Sequence, residues 1–540
     1  MSAAQILIVL GVAMVTFTAV AVLRRLGIPA PVVLVVAGLA IGFVPFVPDV
    51  SLQPDVVLLG LLPLLVFDTA LTSSPTAFRR DWRSIGTLAV LLVAVTAVAV
   101  ALVAHWVAHL SWAMSFVLGT AVGPTDAAAA TSVARRLRLP RRIVTLLDGE
   151  ALFNDATALV LYGAAVTAAT SGQFSVAGTA ADILYAVVVG AAIGLFVGVV
   201  GRWMLNRIDD PPIEIAGSIL LAYLSYLPAE EIHASGVLAA VTAGLYLGWH
   251  RSGSAASARS RLQFKAFWET LVFLVNAALF ILVGLSFHTF SEQARGPLGR
   301  LTLAAIAVVL AVIVVRMAWM WFFAPPVRLW WRRRAGAPKS RRGERLILGW
   351  SGMRGAITLA ALLAVPTVTN SGGVLRGRDD IIYLGFAVIL ATLVGQGMTL
   401  PLLVRRIGLT EKPSLAEAER HARLELAQAA LDRVGEASPG ADVPDDVVDT
   451  LRAQYLGRLH LLETLPSDGT DAGDEDEVRR AMRATADSEA ALRRDLIEVQ
   501  RETLATLRAR GEIGTTTLRT IEHDLDLEEA RIPDGAGRSG

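Results

Sequence analysis

The chain has 540 residues, 54% of them hydrophobic and only 18% charged, with a mean hydropathy of +0.55. A soluble domain carries about 25% charged residues, so this composition belongs in a bilayer. The net charge of +1 hides an asymmetry: residues 1–410 hold 32 Lys and Arg against 19 Asp and Glu, while residues 411–540 hold 17 against 29. With no cysteine in the chain, disulfide frameworks, thiolate nucleophiles, Cys-ligated zinc and iron–sulfur clusters are excluded.

Apolar runs near 20 residues long mark spans, and about thirteen follow one another: 5–23, 30–47, 56–72, 84–109, 112–134, 143–169, 182–201, 213–228, 233–249, 266–288, 301–323, 346–368 and 381–404. The eighth is the shortest. The first has no basic stretch before it and is followed by Arg24-Arg25. It therefore reads as a span entering from outside, and not as a cleaved signal peptide. From that start the odd-numbered loops are cytoplasmic. They carry 24 Lys and Arg, whereas the even-numbered loops carry 4, which is the asymmetry of the positive-inside rule. The N-terminus is expected outside and the C-terminal tail in the cytoplasm of a multi-pass plasma-membrane protein.

Ionisable residues inside spans are costly and mark functional sites by default. Six stand out: Asp68, Asp126, Glu150, Asp155, Arg316 and Arg354. In the fifth run Gly123-Pro124 precedes Thr125-Asp126. Proline breaks the helix there and frees backbone groups beside a carboxylate, an arrangement tolerated at membrane depth where it lines a watery cavity. In the sixth run Glu150 and Asn154 stand four apart on one helix face, and Asp155 is turned about a third of the way round. A buried carboxyl group can bind and release protons near neutral pH, and it is a hard oxygen ligand suited to a small cation. The twelfth run reads Gly349-Trp350-Ser351-Gly352-Met353-Arg354-Gly355; three glycines loosen the helix. Arg354 stays charged and needs an acid, for which Glu150 is the expected partner. No partner suggests itself for Arg316. Two interrupted spans, one in each half of the chain, are the mark of inverted-repeat secondary transporters.

These residues resemble a known family. Asp148-Gly149-Glu150 followed by Asn154-Asp155-Ala156-Thr157 is similar to the signature of monovalent cation:proton antiporters, in the sodium/proton exchanger-like branch with Asn-Asp where others have Asp-Asp. Leu62 to Asp68 resembles the family's third span, Thr125-Asp126 its broken fifth, Tyr223 to Glu230 with Ser235-Gly236-Val237 its eighth-to-ninth region, Phe267-Trp268-Glu269 and Phe280 to Leu285 its tenth, and Gly352 to Ala356 its twelfth. The resemblance covers roughly residues 5–408. It implies a homodimer in which a core, segments 4–6 and 11–13, moves against a scaffold of segments 1–3 and 8–10, with segment 7 linking them. Cation and proton compete for one site in that scheme, and the Asn-Asp branch exchanges them one for one. Asp155 then binds cation and proton, Asp126 and Thr125 are broken-helix ligands, Asn154 belongs to the site, and Glu150 with Arg354 is a structural ion pair. Asp155 and Asp126 are the carboxylates expected to hold the monovalent cation. Ala151 stands where relatives often have a serine that helps coordinate.

After Arg405-Arg406 the composition changes. Helical patterns run near 414–436, 443–465, 476–511 and 515–530, broken at Ser438-Pro439-Gly440 and at the acidic stretch from Ser467 to Asp476. Apolar positions at Leu492, Leu496, Val499, Leu504 and Leu507, mostly three to five apart, suggest an amphipathic bundle with a regulatory or dimer-contact role.

The expected architecture is an all-α membrane protein of about thirteen transmembrane helices with inverted repeats and two broken helices. It divides into a transmembrane antiporter domain over 1–408 and an acidic cytoplasmic helical tail over 409–540. The expected activity is exchange of Na⁺, K⁺ or Li⁺ for H⁺, without a cofactor, a nucleic-acid partner or an enzymatic reaction. A serine protease built on Gly349-Trp350-Ser351-Gly352 would need a base such as His, and no His lies mid-span. An ion channel would not need a titratable acid in a moving core. A membrane sensor with the tail as its output is the remaining alternative.

Overall fold

In hydrocarbon every backbone polar group must find its partner within the segment, which leaves the helix as the one open choice for an apolar run of this length. The computed structural model describes residues 29–43, 53–137, 139–172, 176–208, 210–250, 258–293, 298–323, 342–408, 414–436, 445–464, 496–504 and a few isolated tail positions. It is all-helical: among the described residues there is no strand, only an isolated antiparallel bridge between Val368 and Val374. Among the described residues seven helices are long and apolar enough to cross a membrane, and three shorter ones, Ala30–Gly42, Val56–Leu71 and Trp112–Val122, are apolar. The run at 5–23 lies outside the described residues.

In chain order the helices are α1 (Ala30–Gly42), α2 (Leu62–Leu71, entered through a π-helical turn at Val56–Leu61), α3 (Pro75–Gly86), which continues through Thr87–Leu92 into α4 (Val93–Ala108), α5 (Trp112–Val122), α6 (Ala127–Arg136) and α7 (Arg141–Ser171). Then come α8 (Val176–Leu205), α9 (Pro211–Glu231), α10 (Gly236–His250), α11 (Ala258–Gln293), α12 (Leu298–Ala318), α13 (Arg342–Trp350), α14 (Ala356–Leu363) and α15 (Arg378–Leu390), which passes through Ala391–Gln396 into α16 (Gly397–Ile407). The eighth run is longer than its apolar stretch: α9 carries on past Pro228 to Glu231. Both expected interruptions occur. The fifth run is split into α5 and α6 by Gly123 to Asp126, and the twelfth into α13 and α14 by Ser351 to Gly355.

Two modes of packing organise the helices. In the first, glycines four apart let backbones touch. Gly38 and Gly42 of α1 meet Ile281 and Leu285 of α11, Gly190 and Gly194 of α8 meet Ser235 and Ala239 at the start of α10, and Gly244 and Gly248 of α10 meet Phe67 and Leu71 of α2. In the second, α5, α6, α13 and α14 come together at their interrupted ends, beside the unbroken α7, around buried polar groups. Ion pairs also tie this second group at one end: Arg142 of α7 reaches Asp81 of α3 at 3.2 Å and Glu344 of α13 at 3.8 Å.

The chain divides into two compact units, Met1–Glu411 and Lys412–Gly540. In the second, α17 (Ser414–Glu436) packs against α18 (Asp445–Thr464), and residues 496–504 are helical. The buried positions of that stretch are Ile497 and Leu504, while Leu496 and Val499 are exposed, so its apolar face is rotated from the one read off the sequence. Leu492 and Leu507 lie outside the described residues.

Candidate functional site at the crossing of two broken helices

A helix that stops inside a membrane leaves unpaired amides at its start and unpaired carbonyls at its end, with partial positive and negative charge respectively. Two broken segments offer four such ends, and each is met by a side chain. The end of α5 is held by Arg354: its Nε donates to the Val122 carbonyl at 3.0 Å and its Nη2 to the Gly123 carbonyl at 3.4 Å. The end of α13 is held by Arg316, whose Nε donates to the Leu348 carbonyl at 3.1 Å. At the start of α6, Asp126 is the N-cap, its Oδ1 accepting from the Ala129 amide at 3.4 Å. At the start of α14, Gly355 lies against the same carboxylate; a Cβ there would fall on Asp126 Oδ2. The two breaks are also joined directly, because the Asp126 amide donates to the Met353 carbonyl at 2.7 Å. Two guanidinium groups thus meet the two negative ends, while one carboxylate caps α6 and lies against Gly355 at the start of α14.

The long unbroken helix α7 passes this crossing and adds three polar residues in less than two turns. Glu150 is buried and paired bidentately with Arg316, through Nη1 to Oε1 and through Nη2 to Oε2 at 2.9 Å. Thr125 donates its hydroxyl to Glu150 Oε1 at 2.9 Å. Asn154 donates Nδ2 to both the carbonyl and the hydroxyl oxygen of Thr125, each at 3.0 Å, and its buried Oδ1 has no hydrogen-bond partner among the described residues. Asp155, turned away from this chain of bonds, lines a cavity of about 780 Å³ together with Thr125, Asp126, Asp68 and Thr358. The same cavity is bordered by Arg135, Asp148, Arg261, Lys265 and Glu269, among which Arg135 pairs with Asp148 at 3.2 Å and Lys265 with Glu269 at 3.8 Å.

The structure brings together Thr125, Asp126, Glu150, Asn154 and Asp155, the five acidic or polar residues singled out from the two runs. It corrects one expected contact. The acid held by Glu150's position is matched by Arg316, not Arg354. The reason is local: Arg354 lies inside the interruption itself, where freed carbonyls surround its guanidinium, while Arg316 reaches the same depth from the intact helix α12. Gly352 makes the arrangement fit, since a Cβ there would come within 2.5 Å of Arg316 Cδ and 2.9 Å of Arg354 Nη1. Arg316 was visible in the sequence as a mid-span charge, but nothing in residue spacing links positions 166 apart.

A membrane-embedded helical unit with two interrupted segments crossing beside buried, cavity-facing carboxylates is the architecture of an ion-coupled secondary transporter. The chain belongs to the sodium/hydrogen exchanger family: the model of the transmembrane sodium/hydrogen exchanger domain matches residues 12–406. An uncharacterized Na(+)/H(+) exchanger of Mycobacterium tuberculosis is 36% identical over 524 residues, covering 95% of this chain and 93% of the relative. An uncharacterized Na(+)/H(+) exchanger of Escherichia coli is 30% identical over 534 residues, covering 94% of each. The fold is shared with the sodium proton antiporter MjNhaP1 from Methanocaldococcus jannaschii, at a TM-score of 0.56 and 18% identity, over 74% of this chain and 99% of that one. Its relatives are transporters, and cation/proton antiport across a membrane is the activity of the family.

Proposed function

We propose that the protein exchanges one monovalent cation for one proton, and that Asp155 is the group both compete for, with Asp126 as the second carboxylate of the cation cage. The observation that carries this reading is the charge balance at the crossing. Two buried arginines, Arg316 and Arg354, stand among three carboxylates, Glu150, Asp126 and Asp155. One negative charge is left over, and it adjoins the cavity. A site with one surplus negative charge in a low-dielectric setting favours one compensating cation, either H⁺ or a metal ion. In this reading Thr125 and Asn154 form the wall of the cage, since their mutual bonds and the bond to Glu150 hold the loop that presents Asp126.

The lining of the cavity supports a direction. Arg135, Arg261 and Lys265 border it, and all three adjoin the basic loops that the positive-inside rule puts in the cytoplasm. A cavity open to the cytoplasm follows, with the N-terminus outside. On the other flank Leu62 and Val66 of α2, Tyr226 of α9 and Val237 of α10 pack against Leu152 and Ala156 of α7 as one apolar cluster. Alternating access requires this cluster to part as α3–α7 and α12–α16 move against α1, α2 and α9–α11. The latter elements form the homodimer scaffold in this reading, the membrane is the plasma membrane, and the acidic tail is regulatory.

The test is dissipation of an imposed pH gradient in proteoliposomes of the purified full-length chain, with Na⁺, K⁺ and Li⁺ added separately. Exchange with at least one of them, lost in Asp155→Asn, is the expected result. Proton movement that ignores all three cations, or an Asp155→Asn protein that exchanges at the wild-type rate, would overturn the assignment.

A further inference from the structure

A small cation that leaves water for a protein site needs several oxygen ligands, and the walls of this cavity are unequal in supplying them. On α7, Asp155 contributes a carboxylate, but Ala151, one turn earlier on the same face, lines the cavity with a methyl group. At the start of α14 stands Thr358, a residue only 2% exposed that lines the same cavity. Helical threonines in this protein turn their hydroxyls back onto the carbonyl four residues earlier, as Thr69, Thr120, Thr157, Thr242 and Thr392 all do. Thr358 has no such acceptor in place, because the residue four before it is Arg354, within the non-helical interruption. With the usual intrahelical acceptor out of place, the hydroxyl is left to whatever the cavity it lines supplies.

We propose that the Thr358 hydroxyl oxygen is a ligand of the transported monovalent cation, a neutral donor that joins Asp155 and Asp126 and tunes which alkali ion is accepted. This rests on the reading of Asp155 and Asp126 as the cation site. A neutral oxygen adds coordination without altering the surplus of one negative charge, so it shifts the balance between cations of different size and leaves the proton stoichiometry alone. In the proton-loaded state the same hydroxyl is free to hydrogen bond with water in the cavity.

The experiment compares wild type, Thr358→Val, Thr358→Ala, Thr358→Ser, Thr358→Val/Ala151→Ser and Asp155→Asn in proteoliposomes, with KM and maximal rate measured for Li⁺, Na⁺ and K⁺ in turn. Loss of one ligand oxygen is expected to raise KM for the preferred cation about tenfold, with a smaller change in maximal rate and a changed order among the three ions. Thr358→Ser should stay near wild type, and Ala151→Ser, which places a hydroxyl on the α7 wall of the cavity, should recover part of the loss. Wild-type KM values for all three ions in Thr358→Val would overturn the proposal. So would failure of both Thr358→Val and Thr358→Ala to fold, which would make the hydroxyl structural. If Asp155→Asn still exchanges, the cation-site reading itself falls; if Asp155→Asn is inert while Thr358→Val is normal, only the Thr358 assignment does.

Discussion

The crossing of the broken helices and the glycine-seamed bundle solve the same problem in opposite ways. In the bundle, formed by α1 against α11, α8 against α10 and α10 against α2, the helices run unbroken where they meet, and their backbone is paired within each helix away from its ends. What holds neighbours together there is van der Waals contact, and glycines at four-residue spacing bring the backbones close enough to gain it. At the crossing the backbone is unpaired on purpose, and charged side chains complete it: Arg354 on Val122, Arg316 on Leu348, Asp126 on Ala129. The first mode is insensitive to charge and intolerant of volume. The second depends on charge as well, and Gly352 and Gly355 make it intolerant of volume too. A transporter needs both, because ions must meet polar groups at membrane depth while the surrounding helices keep their shape.

The sharpest way to break this contrast is at the acid that no structural partner claims. Asp155→Asn keeps the volume and removes the charge, so the fold should survive while exchange falls to background; fluorescence-detected size exclusion alongside the proteoliposome assay would show both. An inactive protein that also fails to fold would mean Asp155 is structural, like Glu150. The next largest effect should come from Arg316→Met, which leaves Glu150 buried without its counter-charge at a cost of about 3–5 kcal/mol. Thermal unfolding in detergent should show a double-mutant coupling between Glu150 and Arg316 larger than that between Glu150 and Arg354. The reverse order would restore the pairing expected from sequence.

Volume is the lever for the other region. Gly248→Ala puts a methyl group on the Leu71 carbonyl, and overpacking of this kind costs about 1–3 kcal/mol. Gly163→Ala, on α7 where an added Cβ meets nothing within 4 Å, is the matched control and should be neutral or slightly stabilising. The cation dependence of exchange by the folded fraction should be the same in both. If Gly248→Ala unfolds no earlier than Gly163→Ala, the close contact between α10 and α2 does not contribute as argued.

Much of this was legible in the chain because the signals are local. Apolar length placed the helices, each run from 30–47 to 381–404 overlapping a helical segment within the described residues, and Gly123-Pro124 with the glycines around Arg354 placed the breaks. Asp126, Glu150, Asn154 and Asp155 were found because intramembrane polar residues are rare enough to count. What the sequence did not carry was pairing at long range. Glu150 had two arginines to choose from, and only the depth of α12 beside the crossing decides for Arg316. Thr358 escaped notice for a related reason: a threonine in an apolar helix is ordinary, and its significance depends on the missing carbonyl four residues earlier and on the cavity it faces. Asp68 was noticed as a charge, but its place on the same cavity as Asp155 comes from the fold.

The smallest expected effect is a null one, and it tests the charge balance at the crossing directly. Glu150 is matched by Arg316, and Arg354 lies among the carbonyls beside Asp126. Asn154, next to Asp155, is neutral and uses its amide on Thr125, so no second titratable carboxylate is offered at that position. If the site then carries one proton in one direction and one monovalent cation in the other, both strokes move the same charge. Turnover should not respond to an imposed membrane potential. The measurement has ample reach, because a potential acts at about 2.3 kcal/mol per elementary charge per 100 mV, and even one uncompensated charge would alter turnover severalfold. Asp126 is the residue on which the expectation depends: it caps α6 and lies against Gly355 at the start of α14, and the one-for-one cycle requires that it keep the same charge on both strokes. Solid-supported-membrane recordings on the purified protein, with the potential set by valinomycin and a K⁺ gradient and with Na⁺ or Li⁺ as the driving cation, would read the outcome. A sustained dependence of turnover on potential would show that Asp126 or Asp68 titrates along with Asp155, and the one-for-one assignment would give way to a two-proton cycle.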